Sequence, residues 1–512
     1  MELRILLIEY LKPYKFEVFF LVLFLIIPSI ALLIFLSNKL ERFFFFFLNW
    51  STSRAATIEN ISFTDNEEFF KGTVYNSNVH LGDLIALVFL FTGVLKREFR
   101  RYYTLIPEGT IPLLIHIAFS CASIVNASEY TIDRSYFAVT LYVRQFIFFY
   151  CFANYLRIPM RREYQLKSFF YIAVYTAIVA LQQRYIGGLH RLGADFAHPN
   201  QMVFYLVPTF TLFTVILFNS QDNGYNKKVA IIAILAVTVS CLMSMSRGFI
   251  VHIITSMLTI LALDLSFKFN LRKPFIIIGC MFLLAIASMK AWDTWYFRIF
   301  HNANPVGTAQ RKAYYVIGWE VFKKYKYFGI GINQFGSNAY TIDVLEKALE
   351  YDVVKRDKMV LEFIAKFKRD SLLRSTSEIS PRYWFSGGNP ESYYVLHFAE
   401  TGLLGFFGTV FCQLFFILSA FRSVLYFRRR NMFFYSLSVG LVGVQNGMYA
   451  QSTFEYILRQ ENPMYLQAII FAMVSSVASV RRSKKFDSSG ADIVLEGESK
   501  AEVPPPIPNL NS

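Results

Sequence analysis

Apolar stretches of roughly 17 to 25 residues, the length an α-helix needs to cross about 30 Å of hydrocarbon, recur along the chain. Their centres fall near residues 27, 88, 118, 146, 177, 209, 237, 257, 282, 407, 441 and 472. Each must be helical, because a segment in lipid has no water to satisfy its backbone groups and has to pair them internally. The pattern predicts an all-α polytopic membrane protein with about twelve transmembrane helices. Between the ninth and tenth stretches, residues 291–392 break the rhythm with a long, mostly polar segment. A chain adapted to lipid rarely keeps so large a polar excursion at one place without using it, so function is expected there.

The organisation that follows is helices 1 to 9 with short loops over 1–290, a loop domain over 291–392, helices 10 to 12 over 393–482, and a tail over 483–512. The tail closes on Val503-Pro504-Pro505-Pro506-Ile507-Pro508 and has too little apolar surface to fold alone. No repeat relates the two halves of the chain, which weakens a transporter reading, since transporters are commonly built from duplicated halves.

Composition sharpens this picture. With 55% hydrophobic and only 17% charged residues, a string of soluble domains is excluded. A net charge of +15 would suggest nucleic acid in a soluble protein. Here the basic residues gather beside alternate span ends: Lys96-Arg97, Arg100-Arg101, Arg157, Arg161-Arg162, Lys227-Lys228, Arg272-Lys273, Arg428 to Arg430 and Arg481-Arg482. The positive-inside rule places all of these in the cytoplasm together with both termini, and turns 291–392 outward. The first span, after Lys12 and Lys15, is longer than a signal-peptide core and reads as an uncleaved anchor. Residues 38–80 read as an outward loop opening on an interfacial run, Phe43 to Phe47. Cys121, Cys151, Cys241, Cys280 and Cys412 all lie in predicted spans and read as packing residues.

Against that rule, Arg184, Arg191, Arg247 and Arg311 fall on the outward side. A guanidinium is a rigid fork of donors that matches phosphate oxygens, so several at one face point to an anionic lipid headgroup such as a diphosphate; for any single one, pairing with a carboxylate or loop carbonyl is an even alternative. Arg191 leads through Asp195 and His198 to Pro199-Asn200, residues suited to opening a helix whose N–H groups can receive phosphate oxygens. His198 at such a boundary reads first as a capping residue. In the insertion, a helical pattern from Arg311 through Trp319 and Phe322 stops at Phe328-Gly329-Ile330-Gly331, where glycines permit a turn back toward the membrane. Glu391-Ser392 precede the tenth span, in which Ala399, Gly402, Gly405 and Gly408 form a small-residue stripe for close approach of another helix. Glu391 is either a general base or a helix N-terminal acid. Glu400, Arg144 and His116 lie inside spans and each needs an interior partner. No Asp-x-Asp motif or metal-ligand cluster stands in an outward loop, so no metal or other cofactor is expected.

In order and placement, Arg191 to Asn200, Ser246-Arg247-Gly248, Arg311 with Trp319 and Phe328 to Gly331, and Glu391-Ser392 before Gly402-Leu403-Leu404-Gly405 resemble the O-antigen ligase and O-antigen polymerase superfamily. The resemblance covers most of the chain from about 180 onward. It implies a GT-C-like, metal-independent glycosyltransferase of the bacterial inner membrane, multi-pass, with a periplasmic loop domain and a periplasmic active site. The implied partners are undecaprenyl-diphosphate-linked glycans as donor and acceptor, the lipid bilayer, and a chain-length regulator, with no nucleic acid. Carried onto these positions, Glu391, Arg311 and Arg247 are the catalytic candidates, and Arg184, Arg191, His198, Asn200 and Ser392 bind substrate. In the ligases a histidine stands where this chain has Glu391, which favours polymerisation of O-antigen, capsule or exopolysaccharide repeat units. The alternatives are a ligase that passes the glycan to a lipid A core or other acceptor and, in another class, a lipid-linked oligosaccharide transporter.

Overall fold

The computed structural model describes residues 25, 27–53, 61–62, 78–79, 81–129, 132–158, 160–189, 192–196, 198–219, 226–244, 246–267, 305–375 and 390–483. Among the described residues the chain is almost wholly helical. In order, the main helices are α1 (Ile27–Leu36), α2 (Asn38–Ser53), α3 (Leu81–Leu95), α4 (Thr110–Ala122), α5 (Ile132–Tyr155), α6 (Arg161–Tyr185), α7 (Pro199–Phe218), α8 (Lys227–Ser244) and α9 (Arg247–Phe267). The polar insertion follows with α10 (Pro305–Lys324), α11 (Ile342–Leu349) and α12 (Lys358–Ser375), and the chain returns to the bundle in α13 (Tyr393–Phe427), α14 (Met432–Ser452) and α15 (Glu461–Arg482).

Six of these, α5 to α8, α13 and α15, are long and apolar enough to cross a membrane, the mark of a polytopic membrane protein. Of the predicted centres, the one near 282 lies outside the described residues and every other falls inside a described helix. Phe407, Phe411, Leu414 and Leu418 project from α13 at helical spacing and stay exposed, as do Ile231, Ile232 and Leu235 on α8. Among the described residues nothing covers these stripes, which suit lipid contact. The interior is built around α7, α14 and α15, whose Tyr205, Tyr435 and Tyr465 are fully buried.

The two ends of the bundle differ in chemistry. At one end Glu41 receives Lys96 at 3.0 Å, Arg161 at 2.7 Å and the Tyr155 hydroxyl at 2.7 Å. Glu108 at the same end receives Arg482 at 3.2 Å and Arg481 at 3.4 Å. The opposite end holds the start of α7, α9, α13 and α15. Helix α2 runs from one to the other: Glu41 sits among the basic residues, while the Ser53 carbonyl accepts from Asn462 Nδ2 at 3.3 Å. Residues 38–53 are therefore a bundle helix and not the start of an outward loop. Asn38, Lys39, Glu41 and Arg42 dilute the hydropathy at its head, yet Phe45 is buried against Tyr155 at 4.4 Å between ring centres.

The charges inside the bundle find partners as their cost requires. Arg144 bonds Asp83 at 2.7 Å and Glu461 at 2.6 Å, and His116 Nδ1 meets Thr409 Oγ1 at 3.0 Å. Glu400 pairs with Arg459 at 2.8 Å, both almost completely buried.

Helix α13 does not run straight. At Gly402, with φ 63° and ψ −161°, it breaks, and the turn at Tyr327 to Gly331 fills the gap. Ile330 N–H donates to the Ala399 carbonyl at 3.0 Å and Gly331 N–H to that of Glu400 at 3.0 Å. In return Leu403 N–H donates to the Lys326 carbonyl at 2.9 Å and Leu404 N–H to that of Tyr327 at 3.1 Å. Two backbones meet with no room for side chains: a Cβ on Gly329 would lie 2.3 Å from the Glu400 carbonyl, and one on Gly402 2.5 Å from Gly329 N. The predicted turn back toward the membrane is present, but Gly402 serves it and not a helix stripe. Of the three glycines in that stripe, Gly408 admits a neighbouring helix: a Cβ there would stand 3.2 Å from Phe119 of α4. Gly402→Ala is expected to cost roughly 3 kcal/mol or more through forbidden φ and backbone overlap, read as a lower melting temperature of the detergent-solubilised protein. Gly93→Ala, whose Cβ meets only the Tyr103 ring at 3.4 Å, is the control; equal melting of the two variants would show that the joint contributes nothing.

Candidate functional site

The break in α13 sets apart a short first segment, Tyr393 to Thr401, capped by Ser392 Oγ accepting from Val395 N–H at 3.4 Å. Against it lies α10, whose Gly318 allows Val395 and Pro390 to approach; Trp319 and Phe322 stack on Phe398. This packing carries the insertion to the head of α13. There the Arg311 guanidinium contacts the Glu391 carboxylate, two side chains separated by 80 positions. Both stay more than a third exposed, at 41% and 37%.

A second group gathers at the same end. Asn200, at the start of α7, donates Nδ2–H to Glu455 Oε1 at 2.8 Å, and its Oδ1 accepts from Ser246 Oγ at 2.8 Å. Gln451 Nε2 donates to Glu455 Oε2 at 2.8 Å, and Gln451 Oε1 lies 2.9 Å from His252 Nδ1. A Cβ on Gly248 would stand 2.6 Å from Gln451 Nε2 and 2.8 Å from Glu455 Oε1. Ser246 and Gly248, the neighbours of Arg247, thus both serve contact with the Asn200 and Glu455 pair, which fixes where the backbone of Arg247 begins α9. Tyr393 N–H donates to the Glu455 carbonyl at 3.3 Å, tying this group to the residues that follow Glu391.

The segment 453–460 between α14 and α15 is the hub. Besides Glu455 it supplies Gln460, whose Oε1 accepts from Gln201 at 2.8 Å, and Arg459. That arginine donates to Glu400 Oε2 at 2.8 Å and to the Tyr142 hydroxyl at 3.1 Å. Burial pushes its pKa down, but the Glu400 carboxylate together with Tyr142 and Tyr393 outweighs burial and raises it. Glu400 is in turn fixed by Phe335 N–H at 3.2 Å.

The predicted residues fare differently. Arg311, Glu391 and Ser392 lie at the head of α13, and Asn200 joins Ser246 and Glu455. His198 caps α7, its Nδ1 accepting from Asn200 N–H at 3.1 Å, the ordinary role expected of it. Arg184 donates to the Leu189 carbonyl of its own loop at 3.2 Å. Arg191 lies outside the described residues, and of Arg247 only the backbone is described. Sequence reasoning missed Glu455, Gln451 and Arg459. Arg459 was legible by the logic that picked out Arg184, since it too is an arginine in a short loop on that side; Glu455 carried no such signal.

A groove elsewhere on the insertion is lined by Glu320, Lys323, Lys324, Asp343, Lys347 and Tyr351. Four of its charges are spent on each other, Lys324 with Asp343 at 2.7 Å and Lys323 with Glu320 at 3.0 Å. Burial pushes the Asp343 carboxyl up, but the bond and charge of Lys324, together with the carboxyl's other hydrogen bonds, hold it below the ordinary carboxylate range. None of the predicted site residues lines this groove. Among the described residues no group of three or more His, Cys, Asp or Glu stands close enough to hold a metal ion.

In comparisons with known proteins, no family model matches this chain and no curated protein is similar enough to count as a relative.

Arg459→Leu leaves the Glu400 carboxylate buried without its cation and is expected to cost about 3–5 kcal/mol. Adding Glu400→Leu removes the stranded charge and should recover at least about 1 kcal/mol of that. Denaturant unfolding of the two single variants and the double one checks this; strictly additive losses would show that the two groups do not interact.

Proposed function

We propose that the chain is a membrane glycosyltransferase that polymerises undecaprenyl-diphosphate-linked oligosaccharide repeat units. In this reading it is a GT-C-like enzyme of the bacterial inner membrane with about twelve spans, cytoplasmic termini, and the Glu391 end of the bundle facing the periplasm. The observation that carries the reading is the contact of Arg311 with Glu391 at the head of a helix, beside the Asn200, Ser246 and Glu455 network from which Arg247 departs.

The pair is exposed, and exposed ion pairs stabilise by about 0–1 kcal/mol, whereas a charge-assisted bond from a guanidinium is worth roughly 1.5–3 kcal/mol. A diphosphate entering the site displaces Glu391 from Arg311 at little cost. That exchange divides the labour: Arg311, with Arg247, takes the diphosphate oxygens, and the released Glu391 carboxylate faces the acceptor sugar. The acceptor hydroxyl oxygen then attacks the anomeric carbon of the donor glycan, and the bond from that carbon to the diphosphate oxygen breaks. Its electron pair leaves with undecaprenyl diphosphate, whose growing charge the arginines stabilise. The hydroxyl proton goes to Glu391. The glycan lengthens by one unit and one carrier lipid is freed.

Arg311→Ala and Arg247→Ala are each expected to lower polymer formation at least roughly a hundredfold, the scale set by losing one preorganised donor to a leaving charge, while the protein still inserts in the membrane. Polymer of wild-type length and amount in both would contradict the reading. For Glu391 the informative comparison is Gln against His: Glu391→Gln retaining full activity would remove it as the base.

A further inference from the structure

Glu455 is an odd residue to find where it is. Its carboxylate sits where the N-termini of α7 and α9 meet, and its backbone carbonyl takes the first N–H of α13. Those three helix starts carry Asn200, Arg247 and, one residue before the cap, Glu391. Helix N-termini favour an anion, and this one is supplied by the protein and held by two side-chain amides, Asn200 Nδ2 and Gln451 Nε2, each at 2.8 Å. Both amides are oriented from behind. Ser246 Oγ donates to Asn200 Oδ1, so that the amide must present its N–H₂ to Glu455. His252 Nδ1, as a donor to Gln451 Oε1, does the same for the other. The chain Ser246, Asn200, Glu455, Gln451, His252 joins α7, α9 and α14 through the 453–460 loop and leaves both carboxylate oxygens occupied by donors.

We infer that Glu455 is a positioning residue for the reaction proposed above: it braces the helix starts that bear Arg247 and Glu391 so that both face one diphosphate. This inference rests on that reading for its substrate. A carboxylate engaged in this way does not act as the base. Its value lies in direction, since a guanidinium displaced by about 1 Å at a reacting centre forfeits much of its effect.

The hydrogen-bond pattern supplies its own test. Asn200→Asp alone puts a second carboxylate against Glu455. When Glu455→Gln is added, the new carboxylate at 200 accepts from Ser246 and from the new amide at 455, whose oxygen accepts from Gln451; these three bonds and the net charge are restored. In proteoliposomes fed a purified polyprenyl-diphosphate-linked repeat unit, Glu455→Ala and Asn200→Asp are each expected to lower kcat about tenfold or more and to raise KM as well, since the misaimed groups both grip the diphosphate and act on the reacting bond. The exchanged pair is expected to return both constants to within about threefold of wild type. An exchanged pair as poor as Asn200→Asp, or a wild-type kcat in Glu455→Ala, overturns the inference. If all four proteins leave the repeat unit untouched, the polymerase reading has failed, and the brace is judged from equilibrium binding of inorganic pyrophosphate to the same four. Binding by the wild type that weakens in Glu455→Ala and Asn200→Asp and returns in the exchanged pair upholds the brace; binding absent from the wild type, or equal in all four, overturns it.

Discussion

The architecture depends on one buried residue, Glu400. Its carbonyl accepts Gly331 N–H from the insertion, one carboxylate oxygen accepts Phe335 N–H, and the other accepts the Arg459 guanidinium. An ionised carboxylate at such depth is tolerable only when every lone pair is answered. Meeting that demand forces three parts of the chain together: the polar insertion, the broken helix α13 and the loop between α14 and α15. The glycines at 329, 331 and 402 are what make the approach possible, since each adopts a positive φ that other residues adopt rarely.

Stability and action are kept apart by burial. The Glu400 and Arg459 pair is sealed and expensive to disturb. The Arg311 and Glu391 pair, at the start of the same helix, stands in water and is cheap to exchange. A rigid joint thereby carries a labile pair, which is the arrangement a site needs if its charges are to be exact in position and free to change partner. The Asn200, Ser246 and Glu455 network performs the corresponding service for α7 and α9, and its backbone bond to Tyr393 ties the two groups at one end of the bundle.

Much of this was legible in the amino-acid pattern, and the failures have physical reasons. Long apolar runs translate directly into helices because lipid leaves the backbone no alternative, so the predicted centres coincide with helices wherever residues are described. The turn at Phe328 to Gly331 was readable because two glycines one residue apart, Gly329 and Gly331, mark conformations that other residues adopt rarely. Helix α2 was missed because the charges at its head lower the window average, and Glu41 becomes acceptable only once Lys96 and Arg161, far away in sequence, are folded against it. The break at Gly402 was missed for a related reason: a glycine in an apolar run reads as a packing site unless one knows that a second backbone arrives to satisfy the groups it frees. Glu455 was missed since its meaning lies in partners from other helices, Asn200 and Gln451, whereas Arg459, an arginine in a short loop, was there to be read.

The most direct measurement of the central claim is the trapping of positions 311 and 391 in native membranes. Arg311→Cys and Glu391→Cys, introduced together, are treated with a short bifunctional thiol reagent and the intramolecular cross-link is quantified by mass. The account predicts that most molecules cross-link, and that the yield collapses when Gly402→Ala is added. No cross-link in the protein with Gly402 intact, or a yield indifferent to Gly402→Ala, would contradict it.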